Sequence, residues 1–295
     1  MVDHSGSKET GAWHCSAVLE GHLGAVYDLS SGDPDTLWSV GGDGCLVRWT
    51  RRDGAWNPQG MAMAKADEAL FCVRVLPNGE VLAGGASGGL IAWTNAGVEI
   101  LGGHTGGTFV VTDQWSAGAD GHLRSWRTGE SVGSFPGRIR CVLDTRRGTR
   151  VGLHDGHAAR LGSASPQSLH DGSVRAMMPW PGKEALGTAG ADGRIRIWEE
   201  VGDILRDVVS IDAHKGAVYR LEASPDGLRV ASASRDRTVA VWNASDLALE
   251  ARLSRSSGDG HTRSVNALCW LDDHTIATGG DDRRILLWER RSDYL

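Results

Sequence analysis

Histidine, a hydroxyl residue and aspartate recur along this chain at near-constant spacing, and those three side-chain types together can do nucleophilic chemistry. The sets are His22, Ser39 and Asp43; His104, Ser116 and Asp120; His170, Thr188 and Asp192; His214, Ser232 and Asp236; and His261, Thr278 and Asp282. In each, the hydroxyl stands four residues before the Asp, and the His lies 16 to 22 residues ahead of that Asp. A hydroxyl whose proton passes to an imidazole oriented by a carboxylate is the triad of acyl transfer. One hydrolase needs one such site, so five equivalent sets speak for a scaffold instead. His154 and His157 form an H-x-x-H spacing. They sit on a turn rather than a helix, with no carboxylate motif beside them, so no metal site is expected. The glycine runs GGDGC, GGASGG and GTAGADG read as turns between strands and not as strand-to-helix phosphate cradles. No cofactor is expected.

The elements that must position these residues follow a repeat. A heptapeptide, Asp-(Gly or charged)-x-(Ile/Leu/Val)-x-x-Trp, ends at Trp49, Trp126, Trp198, Trp242 and Trp288. Weaker copies are SGGLIAW, ending at Trp93, and DGHAARL, ending at Leu161. The seven copies are spaced 33 to 46 residues apart, the length of one small four-stranded sheet. Each unit carries alternating apolar and β-branched residues, broken by turn clusters such as LPNGE, SPDG and LDDH, so strands are expected throughout. The one stretch with helical character, MAMAKADEAL from Met61, falls where the repeat requires an outer strand.

Bulk composition fits. Forty-one glycines and 12 tryptophans against 3 tyrosines and 3 phenylalanines suit a glycine-turned, tryptophan-pinned repeat. With 31 Lys plus Arg against 37 Asp plus Glu, the net charge of −6 works against general attraction to nucleic acid or an anionic membrane. The five cysteines, Cys15, Cys45, Cys72, Cys141 and Cys269, include no C-x-x-C pair, so buried thiols in a reducing compartment are expected. The absence of an apolar leader or membrane-spanning run points to a soluble, intracellular and cytoplasmic protein.

These units resemble WD repeats, the family that includes the β subunit of heterotrimeric G proteins. The resemblance implies an all-β, seven-bladed β-propeller over residues 12–295, with residues 1–11 as a flexible tail. It also implies a buried His, Ser/Thr, Asp and Trp tetrad in each complete blade. Trp49, Trp126, Trp198, Trp242 and Trp288 complete the five sets given above. The chemistry is self-consistent: the indole N–H gives to the hydroxyl, the hydroxyl to one imidazole nitrogen, and the other nitrogen to Asp. Blade two offers Ala66, Ala83 and Ser87 at the His, hydroxyl and Asp positions, and blade four keeps Asp155 but has Val151 and Leu161. Both are expected to rely on packing. The Asp that usually follows the Trp is missing throughout.

The chain has only seven residues after Trp288, so the last blade lacks its outer strand. The segment His14 to Leu19 reads as that strand, closing the ring as a velcro joint and hiding an edge that would otherwise aggregate.

In this family, partners often bind the top face, at the third and fifth residues after the His and the residue before the Asp. Carried onto this chain, those positions include Tyr27, Phe71, Phe109, Arg138, Arg140, His154, Arg175, Tyr219, Arg235, Asn266 and Asp281. Tyr27, Phe71 and Phe109 are expected on one side, with Arg138, Arg140, Arg175 and Arg235 opposite. Aromatic and arginine side chains are the usual anchors of interfaces. The expected function is a non-catalytic scaffold, a subunit of a larger complex, that binds a protein or an acidic or phosphorylated peptide. Nucleic acid and membrane are not expected partners. Two alternatives stand behind it: a propeller enzyme of hydrolase or dehydrogenase type with a site at the channel mouth, and a subunit touching nucleic-acid phosphates.

Overall fold

A computed structural model describes residues 13–163, 165–257 and 259–291. The expected tail, residues 1–11, lies outside the described residues. Seven antiparallel sheets stand in a ring, one per sequence repeat. Blade one runs Val26–Asp33, Thr36–Gly41, Cys45–Arg52 and Met61–Lys65, with a two-residue hairpin arm, Ala55–Trp56, on the third strand. Met61–Lys65 is thus a strand, as the repeat demands and against its local helical composition. Among the described residues the one helical element is a short 3-10 turn at Arg255–Ser257.

The inner strands of blades two to seven are Leu70–Val75, Thr108–Val111, Ile139–Thr145, Val174–Pro179, Val218–Ala223 and Val265–Asp272. Alternation along them sends successive side chains into the cores shared with the two neighbouring blades, as Met177 packs with blade four and Met178 with blade six. One such core joins Ala176, Met178, Ile195 and Ile197 of blade five to Val218, Leu221 and Val230 of blade six. Several tryptophans outside the tetrads staple neighbours together. The Trp180 indole donates to the Ala244 carbonyl at 2.9 Å, Trp270 to the Glu222 carbonyl at 3.2 Å, and Trp115 to Asp144 at 2.9 Å. The buried thiols of Cys72 and Cys141 point to the carbonyls of Thr108 and Val174 on the next blade. All five cysteines are free.

The ring closes as the sequence requires. Trp13–Glu20 pairs antiparallel with Arg284–Arg290, from Trp13 opposite Arg290 to Glu20 opposite Arg284, and becomes the outer strand of blade seven. Leu19 is buried in the core shared by blades seven and one, and Trp13 meets Trp270 edge to face at 5.9 Å.

Candidate functional site

The tetrads fold as hydrogen-bonded chains in four blades. In blade one, Trp49 Nε1 donates to Ser39 Oγ at 2.8 Å, Ser39 Oγ lies 2.7 Å from His22 Nε2, and His22 Nδ1 lies 3.0 Å from Asp43. The links Trp198–Thr188–His170–Asp192 measure 2.8, 2.7 and 2.9 Å. Those of Trp242–Ser232–His214–Asp236 measure 3.0, 2.8 and 3.0 Å. Those of Trp288–Thr278–His261–Asp282 measure 3.0, 2.9 and 2.9 Å. Ser39, Thr188, Ser232 and Thr278 are fully buried, and each accepts an indole proton, so none is presented to a substrate. Each Asp also takes the backbone N–H just after its His, as Asp43 does from Leu23 at 2.7 Å. It thereby clamps the entry loop to the turn between the second and third strands.

Blade three departs from the expected set. His104 reaches Ser116 at 2.9 Å and Asp120 at 2.8 Å, but the buried Nε1 of Trp126 has no hydrogen-bond partner. The cause is length. Strands Trp115–Gly118 and His122–Ser125 have four residues each, and their pairing ends at Trp115 opposite Ser125. Trp126 falls past the ladder and packs instead with Leu82, Leu90 and Val111, under the Arg127 guanidinium at 4.2 Å.

Blades two and four do not rely on packing alone, contrary to expectation. In blade two Glu68, from the entry loop, accepts from the Ser87 hydroxyl at 2.8 Å and from the Ser87 amide. The carboxylate has moved to the entry loop, and a hydroxyl stands at the Asp position on the turn. Blade four substitutes ions: the buried Arg150 bonds Glu200 at 2.9 Å and the Asp203 carbonyl, while Arg160 pairs with Asp203, tying it to blade five. Sequence reasoning missed these partners because Glu68 stands two residues after the expected His position, Ala66, and Glu200 belongs to another repeat.

Electrostatics follow from burial and bonding. Burial pushes the Asp192, Asp236 and Asp282 carboxyls up, but hydrogen bonds from their histidines and neighbours overcome it and hold all three far below the usual carboxylate range. Burial lowers His22 and His104 below the ordinary imidazole value, despite the adjacent Asp43 and Asp120. Neutral imidazoles suit the donor and acceptor roles of the chain.

The top-face residues form a continuous collar at the channel mouth. Tyr27 meets Phe71 at 5.6 Å and Phe71 meets Phe109 at 5.7 Å. The Arg140 guanidinium lies over Phe109 at 4.1 Å, and Arg175 lies over Tyr219 at 5.4 Å. Tyr27, Phe71 and Phe109 thus form one run over blades one to three, and Arg140 and Arg175 follow on blades four and five, each stacked on an aromatic neighbour. Stacking on a ring face is the arrangement that satisfies both a cation and a π quadrupole, and Tyr219 in blade six supplies the second platform. Asn266 closes the collar, donating to the Val26 carbonyl at 3.1 Å and to Asp281 at 2.7 Å. Arg138, His154 and Arg235 stand exposed at the rim. Burial first, then Arg140 and Arg175, lower the His154 imidazole.

Below the collar the channel encloses about 760 Å³ and is lined by Asp28, Cys72, Cys141, Arg220, Glu222 and Cys269, among others. Arg220 of blade six pairs with Asp28 of blade one at 2.7 Å, reaching past the small Ala267 of blade seven. Glu222, desolvated within the channel, is pushed up to about 7. Among the described residues no group of three or more His, Cys, Asp or Glu side chains could hold a metal ion, and no helix is long and apolar enough to cross a membrane.

A model of the family described as WD domain, G-beta repeat, matches residues 206–243 and 254–289. The crystal structure of the WD40 beta propeller domain of Doa1 superposes with a TM-score of 0.82, covering 96% of this chain and 98% of that one at 18% identity. At that identity the likeness shows the fold alone. Similar curated proteins include Protein HIR1 of Kluyveromyces lactis, 29% identical over 136 residues, which are 37% of this chain and 16% of that protein. The Ribosome biogenesis protein WDR12 homolog of Drosophila sechellia is 29% identical over 160 residues, 50% of this chain and 36% of that protein. The THO complex subunit 3 of Arabidopsis thaliana is 35% identical over 89 residues, 27% of this chain and 25% of that protein. The chain thus spans at most 36% of the length of these three relatives. Residues 206–243 and 254–289 thus match WD repeats, and the chain as a whole is a seven-bladed β-propeller with recurring His–hydroxyl–Asp–Trp chains.

Proposed function

We propose that this propeller is a non-catalytic docking module that binds the acidic segment of a partner protein across its top face, as one subunit of a larger assembly. The observation that carries the reading is a set of cations without anions. Arg138, Arg140 and Arg175 have no carboxylate partner among the described residues, although the protein as a whole is acidic. The arginines buried elsewhere are paired: Arg150 with Glu200, Arg196 with Asp192, Arg229 with Glu250. Half-buried, unpaired guanidiniums beside aromatic platforms are what an interface anchored by charge-assisted hydrogen bonds presents before its partner arrives. The hydroxyls that resemble nucleophiles are spent on indoles, which favours docking over chemistry. The relative named as a subunit of the THO complex fits a role in assemblies.

The test is quantitative co-purification. Proteins recovered with the wild-type chain are compared by mass spectrometry with those recovered by R140E/R175E and by R51E, a substitution on the outer part of blade one. A top-face role predicts that R140E/R175E loses at least one partner about tenfold or more, the scale of a lost charge-assisted contact, while R51E keeps it. Equal recovery of every partner by both variants would refute the reading.

A further inference from the structure

Deep in the collar, three buried donors lack acceptors: Arg140 Nε, Arg175 Nε and Ser173 Oγ. All three belong to blades four and five, on neighbouring inner strands or the turn leading into one. A buried donor left unpaired is costly, and native proteins rarely tolerate several together unless something else satisfies them. The two guanidiniums are held by their stacking on Phe109 and Tyr219. A cation lying flat on a ring keeps its in-plane N–H edge free for a ligand. Both line the same cavity of about 760 Å³, which is roomier than a rim contact requires.

Charge stoichiometry then selects the ligand. Of the four arginines that line the cavity, Arg74 is already answered by Asp113 at 2.8 Å and Arg220 by Asp28 at 2.7 Å. Arg140 and Arg175 leave two positive charges unanswered. A carboxylate would neutralise one of them and leave the other exposed to its neighbour's repulsion. A tetrahedral dianion neutralises both and has oxygens enough for two guanidinium forks. Burial, together with the nearby Arg175 and Arg220, holds Arg140 down at about 10.

We infer that the channel mouth between blades four and five is a seat for a phosphate-monoester dianion, gripped by Arg140 and Arg175. The inference deepens the docking reading and rests on the same face, but it makes a narrower claim, that the ligand enters the channel and carries two charges.

Calorimetric titration of the full chain at pH 7.5 tests it, using inorganic phosphate, acetate at matched ionic strength, and a tripeptide of phosphoserine flanked by alanines. Saturable binding of phosphate, with none for acetate, is expected. R140M and R175M should each weaken it about tenfold, and the double variant should abolish it. R206M, exposed on the outer strand of blade five, should bind as wild type. If R140M/R175M has a lowered melting temperature, R140K/R175K supplies the second reading: it keeps the charges, loses the forks, and should bind at least tenfold more weakly. Phosphopeptide binding tenfold or more tighter than phosphate identifies a modified side chain of a partner as the source. Equal or weaker binding identifies a free phosphorylated small molecule. Wild-type protein that binds neither phosphate nor phosphopeptide, or a folded double variant that binds both unchanged, overturns the proposal. In that event, loss of a partner by R140E/R175E would still leave the docking reading standing.

Discussion

Ser39 and Ser116 occupy equivalent places, yet their surroundings differ by one hydrogen bond. Ser39 connects Trp49 to His22, whereas Ser116 meets His104 alone. Removing the Ser39 hydroxyl strands two buried groups, and removing that of Ser116 strands one. At roughly 1–2 kcal/mol for each stranded group, Ser39→Ala is expected to cost about 3 kcal/mol and Ser116→Ala about half of that. Urea denaturation of the two variants measures the difference, and equal losses would show that the indole bond contributes nothing. Glycine in the following turn has its own reason. Gly44 has φ of 75°, and a Cβ there would lie 2.4 Å from the carbonyls of Ala66 and Glu68. Blades six and seven place Arg237 and Arg283 at that same position, with φ of 75° and 69°, so they accept a strained backbone that the other turns avoid.

At the scale of elements, the strand least protected by local sequence does the most to hold the ring together. Trp13–Glu20 has no hairpin partner next to it in sequence and joins Arg284–Arg290 from the far end of the chain. Without it, Ile285, Leu287 and Trp288 lose the covering of Leu19, Val18 and Cys15, and blade seven exposes a free edge. Truncation of the chain through Glu20 is expected to lower the melting temperature by ten degrees or more, since several kcal/mol of buried apolar contact is lost. A scanning calorimetry trace unchanged within two degrees would reject that closure. Much of this architecture was readable beforehand. Repeated Asp-to-Trp heptapeptides mark every third strand, and the strand-like run His14 to Leu19 before the first His marks the one that pairs with Arg284–Arg290. Short-range patterns fell short where a side chain's partner lies in a different repeat. The Arg150–Glu200 and Glu68–Ser87 pairs obey no periodicity, and only the truncated ladder of blade three explains why Trp126 misses Ser116.

The molecule as a whole distributes its polar chains unevenly. Blades five, six, seven and one form an arc with complete tetrads, while blades two, three and four use substitutes or a broken set. That arc also contains the carboxyls held lowest, Asp192, Asp236 and Asp282. A carboxyl whose folded value is depressed contributes stability that is full above about pH 4 and is lost as the pH falls through that folded value. His22 and His104 are depressed as well. Their contribution is full above about 6.5 and declines below it, because the unfolded chain takes up the proton first. Stability is therefore expected to fall in two stages on acidification, gently from about pH 6.5 and steeply below about pH 4. Urea midpoints from pH 8 to pH 3 measure the profile. In H22Q/H104Q the gentle stage should shrink while the steep one remains, and a profile flat down to pH 4 in the wild type would contradict the histidine contribution. The top-face collar was legible in part: its residues could be named by position, but the stacking of Arg140 on Phe109 and of Arg175 on Tyr219 depends on how neighbouring blades lean together.

The pairing of Trp13–Glu20 with Arg284–Arg290 also orders events during synthesis. The earliest strand emerges from the ribosome with its lifelong neighbour some 270 residues away, so six blades can assemble while the seventh waits open. Until the final hairpin arrives, the nascent protein carries a sticky, half-built rim at each end of a horseshoe. A ribosome that stalls late therefore releases a species primed to pair with another like itself.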